Sequence, residues 1–392
     1  MYGEKYPQIR ETENDMNFSV DDFKVLNVSK RESPERIDYG VQMVGAPLEW
    51  LETKGGKGIA VGIIDTGAEY THDELKDAII ENRDFTSCGD DMPTDENGHG
   101  THVAGIIAAR ENGVGVIGVA PRCDLYIARA FSPDGSADMD DVTRALEWLI
   151  SKKVHVINMS FSAPQTTKRF RELIRLAYES GITMVCAAGN NGESTNVMGY
   201  PARFDECIAV TAVDIDKKHA AFSTRAPKAE VCAAGMNVYS SYLNNGYATL
   251  SGTSMATPII SGAVALIQAK AMKRYGRRLT PDEVRLLLHM YAEGLGERGR
   301  DASFGYGLFT FDRIYYDTVE KSYISKLMST RRKEYFTNID MLCESRARGY
   351  KSEARVCDVG GGSDTMMQNK STDMKNIYLA ALLTAFLLEK GM

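Results

Sequence analysis

Short apolar runs alternate with amphipathic stretches through the middle of the chain. Ile59-Ala60-Val61-Gly62-Ile63-Ile64 contains no polar side chain, and further β-prone runs lie near 124–130, 154–159, 182–187 and 207–213. A strand covered on both faces reads as such a run, whereas a strand with one wet face alternates. Between these runs, apolar positions near 100–109, 138–152, 167–180 and 254–271 recur with helical spacing. The alternation predicts an α/β fold, a parallel β-sheet with helices on both faces. Thr280-Pro281-Asp282-Glu283 is a capping box with proline at the first helical position, so a further helix opens there.

The flanks differ from this middle. Residues 1–34 form a polar N-terminal extension with one apolar, β-prone patch at 23–28. Residues 316–392 form a C-terminal extension with a charged stretch, the flexible-looking Gly360-Gly361-Gly362, and a terminal apolar run at 377–388. That run is short for a membrane span and is expected as a packed or partner-binding helix, through which the chain could self-associate. With 43% hydrophobic and 25% charged residues, the composition is that of a globular protein. A net charge of −7 argues against a nucleic-acid partner. The cysteines, seven in all, are scattered, which excludes a disulfide framework and a CxxC zinc site. Residues 1–15 lack a basic segment followed by an apolar core, so a cytoplasmic location without membrane attachment is expected.

Three segments carry candidate chemistry. Ser251-Gly252-Thr253-Ser254-Met255-Ala256-Thr257-Pro258 sets a serine among small residues at the start of an apolar helix. Read alone, it is equally a helix cap or a nucleophile whose oxyanion would form at a helix N-terminus. The 59–64 run ends in Asp65-Thr66-Gly67, a carboxylate at a strand end. Asn97-Gly98-His99-Gly100-Thr101-His102 puts an imidazole in a glycine-flanked loop that enters a helix. Acid, base and hydroxyl thus lie in the order Asp65, His99, Ser254. A fourth segment, Ala187-Ala188-Gly189-Asn190, runs a buried strand into a polar amide.

These motifs, with GVAP at 118–121 and VINMS at 156–160, resemble the subtilisin-like serine proteases (subtilases) over roughly residues 35–315. Asp–His–Ser is the chain order of that family, unlike those of chymotrypsin or the α/β-hydrolases. The resemblance implies a three-layer fold in a peptidase domain of 35–315. It also implies a serine endopeptidase with Asp65, His99 and Ser254 as triad, acting on protein or peptide substrates. Asn190 and the Ser254 N–H would bind the oxyanion, with His102 structural. Substrate would lie as an added strand between Gly135-Ser136 and Ser160-Phe161-Ser162. The pocket before the scissile bond would be walled by Ser160 to Ser162 and by Ala187, Ala188 and Gly189, with Gly199 as floor. A glycine floor without a neighbouring acid implies preference for large apolar or aromatic residues, while Ser162, where the family has glycine, narrows the mouth. Phe161, Met139 and Val142 line a second apolar pocket or belong to the core. The resemblance further implies calcium (Ca2+), held by Glu35, Glu74 and Asn112 side chains and by carbonyls of Arg110, Val114 and Val116. The competing reading is an autoinhibited or catalytically silent protein of the same fold. In it the 23–28 patch would block the groove.

Overall fold

The apolar runs become strands because helices cover both of their faces. The computed structural model describes residues 17–20, 24–29, 34–86, 94–192 and 196–312. In chain order the elements are β1 (Asn17–Ser19), β2 (Lys24–Ser29), α1 (Tyr39–Met43), α2 (Pro47–Thr53), β3 (Ala60–Asp65), β4 (Ile79–Asp84) and α3 (His99–Ala108). Then come β5 (Asp124–Arg129), β6 (Ser136–Asp138), α4 (Met139–Ser151), β7 (Val156–Met159), α5 (Lys168–Glu179), β8 (Thr183–Ala187) and β9 (Cys207–Val213). The last are β10 (Val231–Ala234), β11 (Val238–Tyr242), β12 (Gly246–Ser251), α6 (Thr253–Tyr275), α7 (Pro281–Met290), β13 (Ala292–Glu293) and β14 (Leu308–Phe309).

The main sheet has the order β13-β14-β10-β9-β8-β7-β3-β5-β4 and is parallel except where β13 meets β14. α3 and α6 pack together against one face, and α4 and α5 against the other. The sheet chain is the three-layer α/β arrangement the alternation predicts. Side chains obey the period of two: Ile64, Ile157, Met159, Met184 and Cys186 join the α4–α5 core. Gly62 lies on that face too, where an added Cβ would sit 2.8 Å from the Leu149 side chain. α6 is long and apolar enough to cross a membrane, but it is buried as the central core helix. The capping box at Thr280 forms as read, with Pro281 at the helix start.

Two smaller sheets carry the described part of the N-terminal extension. β2 adds to the β11–β12 hairpin as an antiparallel edge strand. β1 pairs antiparallel with β6. The apolar patch near 23–28 therefore does not lie in the groove, as the competing reading would have it; its described residues pair with β12, with Val25, Leu26 and Val28 exposed. The physical reason is that β12 offers an open edge whose N–H and C=O groups need partners. The described residues, from 17 to 312, belong to one unit. The C-terminal extension, with its terminal apolar run, and Cys88, Cys343 and Cys357 lie outside the described residues. Cys123, Cys186, Cys207 and Cys232 are free and buried.

Two buried titratable groups set the acid limit of this fold. His102 Nε2 donates to the carbonyls of Val238 and Ala248, and burial pushes its pKa down from 6.5 to about 3. Burial works against the Glu230 charge, but Lys228, His289 and Arg285 outweigh it and hold the carboxyl at about 2, below its ordinary 4.5. In both cases the unfolded chain takes up the proton first as pH falls. Each therefore costs stability as pH falls, by about 1.4 kcal/mol per pH unit, below about pH 6.5 for His102 and below about pH 4.5 for Glu230. Asp38, whose carboxyl burial raises to about 6, works the other way between about pH 6 and pH 4, so the decline is steepest below that window. Urea unfolding of the Ser254→Ala chain between pH ~5 and pH ~3 checks this; a flat profile there would contradict it.

Candidate active site

The site is built at the C-terminal ends of β3, β7 and β8 and at the N-termini of α3 and α6. Asp65 ends β3, buried beside the turn that follows it. Its Oδ1 accepts from the Thr66 N–H at 2.8 Å and from His99 Nδ1 at 2.7 Å. That bond fixes the imidazole tautomer, with the proton on Nδ1 and Nε2 able to take another. His99 opens α3 after Gly98, whose left-handed φ of 97° suits glycine. Gly100 lets the first turn of α3 touch the turn after Asp65: an added Cβ would lie 2.0 Å from the Gly67 carbonyl oxygen.

A second buried carboxylate organises this loop. Asp95 Oδ1 accepts from Thr66 Oγ1 and from the N–H groups of Asn97 and Gly98, each at 2.9 Å. Asp95 Oδ2 accepts from the Thr101 N–H at 2.9 Å and hydroxyl at 2.6 Å. Thr66 Oγ1 in turn accepts from the Gly100 N–H at 3.0 Å. Asp95 was not among the residues the motifs singled out. Its signal was present as Asp95-Glu96-Asn97-Gly98, a side chain placed to bond the backbone two and three residues on.

Ser254 lies in the first turn of α6, and a proline explains how it is held. Pro258 has no N–H, so the carbonyl four residues earlier, that of Ser254, has no helical donor. Ser160 Oγ, just past β7, donates to it at 3.0 Å instead. The Ser254 hydroxyl donates back to the Ser160 carbonyl at 3.0 Å. Asn158 Nδ2 holds Ser160 Oγ at 2.9 Å, and Ser261 on α6 holds Asn158 Oδ1 at 2.8 Å. Asn190 follows β8. Its Oδ1 accepts from the N–H and hydroxyl of Thr253 at 2.9 and 3.0 Å, and Thr253 Oγ1 accepts from the Gly189 N–H. The Asn190 Nδ2 lies 3.2 Å from where a Cβ on Gly252 would be, beside the turn that carries Ser254. Thr253 thus orients the amide, a role the motif did not reveal.

The groove contains the chain's own β1. Ser19 pairs with Ser162 through both backbone bonds, at 3.1 and 3.0 Å, and the Val20 N–H donates to the Gly135 carbonyl at 3.0 Å. Phe18 is fully buried, with its ring 5.0 Å from that of Phe161 and 5.3 Å from that of Phe170. Met139 and Val142 belong to the same cluster. Asp65, His99 and Ser254 have 0% exposure in this arrangement. A cavity of about 290 Å³ remains between Ser19, Val20, Gly135, Ser136, Asn190 and Asn191. Ala187 and Ala188 lie buried at the end of β8. Ser162 faces Gly199: its hydroxyl oxygen is 2.1 Å from where a Cβ on that glycine would stand.

Glu35, Glu74 and Asn112 also come together, away from this site. Glu35 Oε1 accepts from the Asn112 N–H at 2.8 Å, and Asn112 Nδ2 donates to Glu74 Oε2 at 3.2 Å. The Arg110 and Val116 N–H groups bond the Glu74 backbone and side chain respectively, and Val114 N–H bonds Asn112 Oδ1.

Residues 56–307 match the subtilase family. Subtilisin DY of Bacillus licheniformis is 40% identical over 275 residues, which are 70% of this chain and 96% of that protein. The intracellular serine protease of Paenibacillus polymyxa is 37% identical over 311 residues, 78% of this chain and 92% of the relative. The major intracellular serine protease of Bacillus subtilis strain 168 is 36% identical over 252 residues, 62% and 79% of the two chains.

Asp95→Asn turns an amide N–H₂ toward protein donors in a buried loop, at a cost of about 1–3 kcal/mol. Peptide-anilide hydrolysis, measured well below the melting temperature of both proteins, should lose kcat while KM holds. The pH profile should also shift, because the imidazole is displaced. A lower melting temperature with kcat and pH profile unchanged would reduce Asp95 to a purely structural residue.

Proposed function

The chain belongs to the subtilase family and is a serine-type endopeptidase; on that premise we propose that Ser254 is its nucleophile, His99 its general base and Asp65 the carboxylate that orients and stabilises the imidazolium. The Ser254 proton passes to His99 Nε2 as Oγ attacks the peptide carbonyl, and from there to the leaving amine. The oxyanion is bound by Asn190 Nδ2 and the Ser254 N–H. The observation that carries this reading is the buried 2.7 Å Asp65–His99 bond, with Asn190 tied through Thr253 to the turn bearing Ser254. Ser254→Ala should abolish hydrolysis of casein and of a peptide anilide while leaving the melting temperature nearly unchanged. Residual hydrolysis at the parent rate would refute the assignment.

The substrate binds as a strand between Gly135-Ser136 and Ser160-Phe161-Ser162, and a large apolar or aromatic side chain is preferred before the scissile bond. The support is that Ala187, Ala188, Gly189 and Gly199, the residues expected in that pocket's walls, bring no acid to pair a Lys or Arg. The Ser162 hydroxyl over Gly199 takes up part of the floor, so the largest rings are accommodated less well than glycine at 162 would allow. A cytoplasmic location is part of the same reading. Two relatives are named intracellular, and the described cysteines are reduced and buried. Protein or peptide substrates follow from the activity; self-association through the run at 377–388 concerns residues outside those described.

A specific observation favours the autoinhibited form of the alternative reading over the silent one. β1 occupies both substrate-binding edges, with Phe18 in the apolar pocket beyond them. We read the full chain as a restrained enzyme whose own strand competes with substrate. Full burial of a Phe is worth roughly 1.5–3 kcal/mol, and each 1.4 kcal/mol is about tenfold. Phe18→Ala should therefore raise kcat/KM on a small peptide about ten- to a hundredfold, mainly through KM. Equal kcat/KM for parent and Phe18→Ala would mean that β1 is a tether, not a restraint.

A further inference from the structure

The resemblance to subtilases implies a calcium ion among Glu35, Glu74, Asn112 and the carbonyls of the 110–116 loop. A hard cation of this kind needs six to eight oxygen lone pairs, at about 2.3–2.6 Å, converging on one point. The side chains gathered here point protons at one another instead. Glu74 is fully buried, and its Oε1 accepts from the Tyr247 hydroxyl at 2.6 Å and from the Val116 N–H at 3.4 Å. Its Oε2 accepts from Asn112 Nδ2 at 3.2 Å, and the same amide nitrogen lies 3.3 Å from the Asp73 carbonyl. Two oxygens around that nitrogen fix the amide orientation, since the reverse would set acceptor against acceptor. Asn112 Oδ1 is then taken by the Val114 N–H at 3.1 Å, and Glu35 Oε1 by the N–H groups of Asn112 and Gly113 at 2.8 and 3.1 Å.

The length of the Glu74 side chain accounts for this arrangement. It carries the carboxylate across the space that a shorter side chain would leave, as far as a tyrosine on β12, 173 residues away in sequence. The pair then fills the room over Gly115: an added Cβ there would lie 2.1 Å from both Glu74 Oε1 and the Tyr247 hydroxyl oxygen. Tyr247 is fully buried, edge-on to His72 and stacked on Tyr239 at 5.7 Å, so its hydroxyl has little freedom to withdraw.

We infer that this locus is a calcium-independent clip in which the Glu74 carboxylate, held by Tyr247 and Asn112, does the work of the ion. It ties the 110–116 loop to β12 and to the segment entering α1. The stability of the protease then does not follow the calcium concentration around it at this site. The inference goes beyond the assignment of the catalytic groups and needs no activity to test.

The test uses the full chain carrying Ser254→Ala, which removes self-digestion. Its melting temperature is compared in millimolar calcium and in excess chelator, alone and with Tyr247→Phe, Glu74→Asp or Asn112→Ala added. The parent should melt at the same temperature in both solutions. Tyr247→Phe should lower the melting temperature equally in both, because the lost donor is a protein hydroxyl. Glu74→Asp withdraws the carboxylate from Tyr247 and should melt lower in chelator, with part of the loss regained in calcium. Any binding that favours the folded state must raise the melting temperature by mass action. A calcium-dependent rise in the parent that Asn112→Ala abolishes would overturn the inference, and Asn112 is exposed, so that variant folds. A rise that survives Asn112→Ala lies at another locus and leaves the clip standing.

Discussion

Two carboxylates buried within one loop's reach of each other are the constraint on which the site depends. An ionised carboxylate removed from water is tolerated only where donors meet it. Asp65 takes the Thr66 N–H and His99 Nδ1; Asp95 takes five donors from Thr66, Asn97, Gly98 and Thr101. Thr66 Oγ1 sits between the two and also accepts the Gly100 N–H. The conformation of the loop before α3 is thus the one that brings these donors to Asp65 Oδ1 and to both oxygens of Asp95. Gly98 must turn left-handed and Gly100 must lack a side chain for that conformation to close. The direction of the His99 ring follows from this arrangement.

Ser254 is positioned by a complementary defect. A proline in the second turn of α6 strips the Ser254 carbonyl of its helical partner, and Ser160 supplies the replacement. The two serines then hold each other across the gap between β7 and α6. A hydroxyl has one proton, and that of Ser254 is directed at the Ser160 carbonyl while β1 fills the groove. For Ser254 to act as the nucleophile proposed above, this proton must turn toward the imidazole. The helix N-terminus favours the negative charge that then develops nearby.

Much of this was legible because it is local. β3, β5, β7, β8 and β9 coincide with the apolar runs, and α3 to α6 with the helically spaced ones, to within a few residues at each end. The triad and Asn190 stand in contiguous motifs. β4 was missed: Ile79–Asp84 is an edge strand with a half-wet face, and its Glu81-Asn82-Arg83 reads as loop. β10, β11 and β12 were missed because they are short and rich in Ala, Ser and Tyr. The groove occupant was sought in the most apolar part of the extension. A groove with one apolar pocket selects a single anchoring ring with pairable backbone around it, and Asn17-Phe18-Ser19 meets that need. The Glu74–Tyr247 bond joins residues far apart in sequence, and no local pattern announces it.

The restraint proposed for β1 and the binding of substrate would draw on one feature of the sheet architecture. An edge strand in a groove must leave N–H and C=O groups unpaired if any extended peptide is to bind, which makes a protease indifferent to most of the sequence it cuts. Unpaired edge groups are equally available to the protein's own chain. An intramolecular strand competes at a high effective concentration, so it needs little intrinsic affinity to occupy the groove. Under the restraint proposed above, one buried ring, the β1–β6 ladder and the further backbone bonds at Ser19 and Val20 are what a substrate must displace.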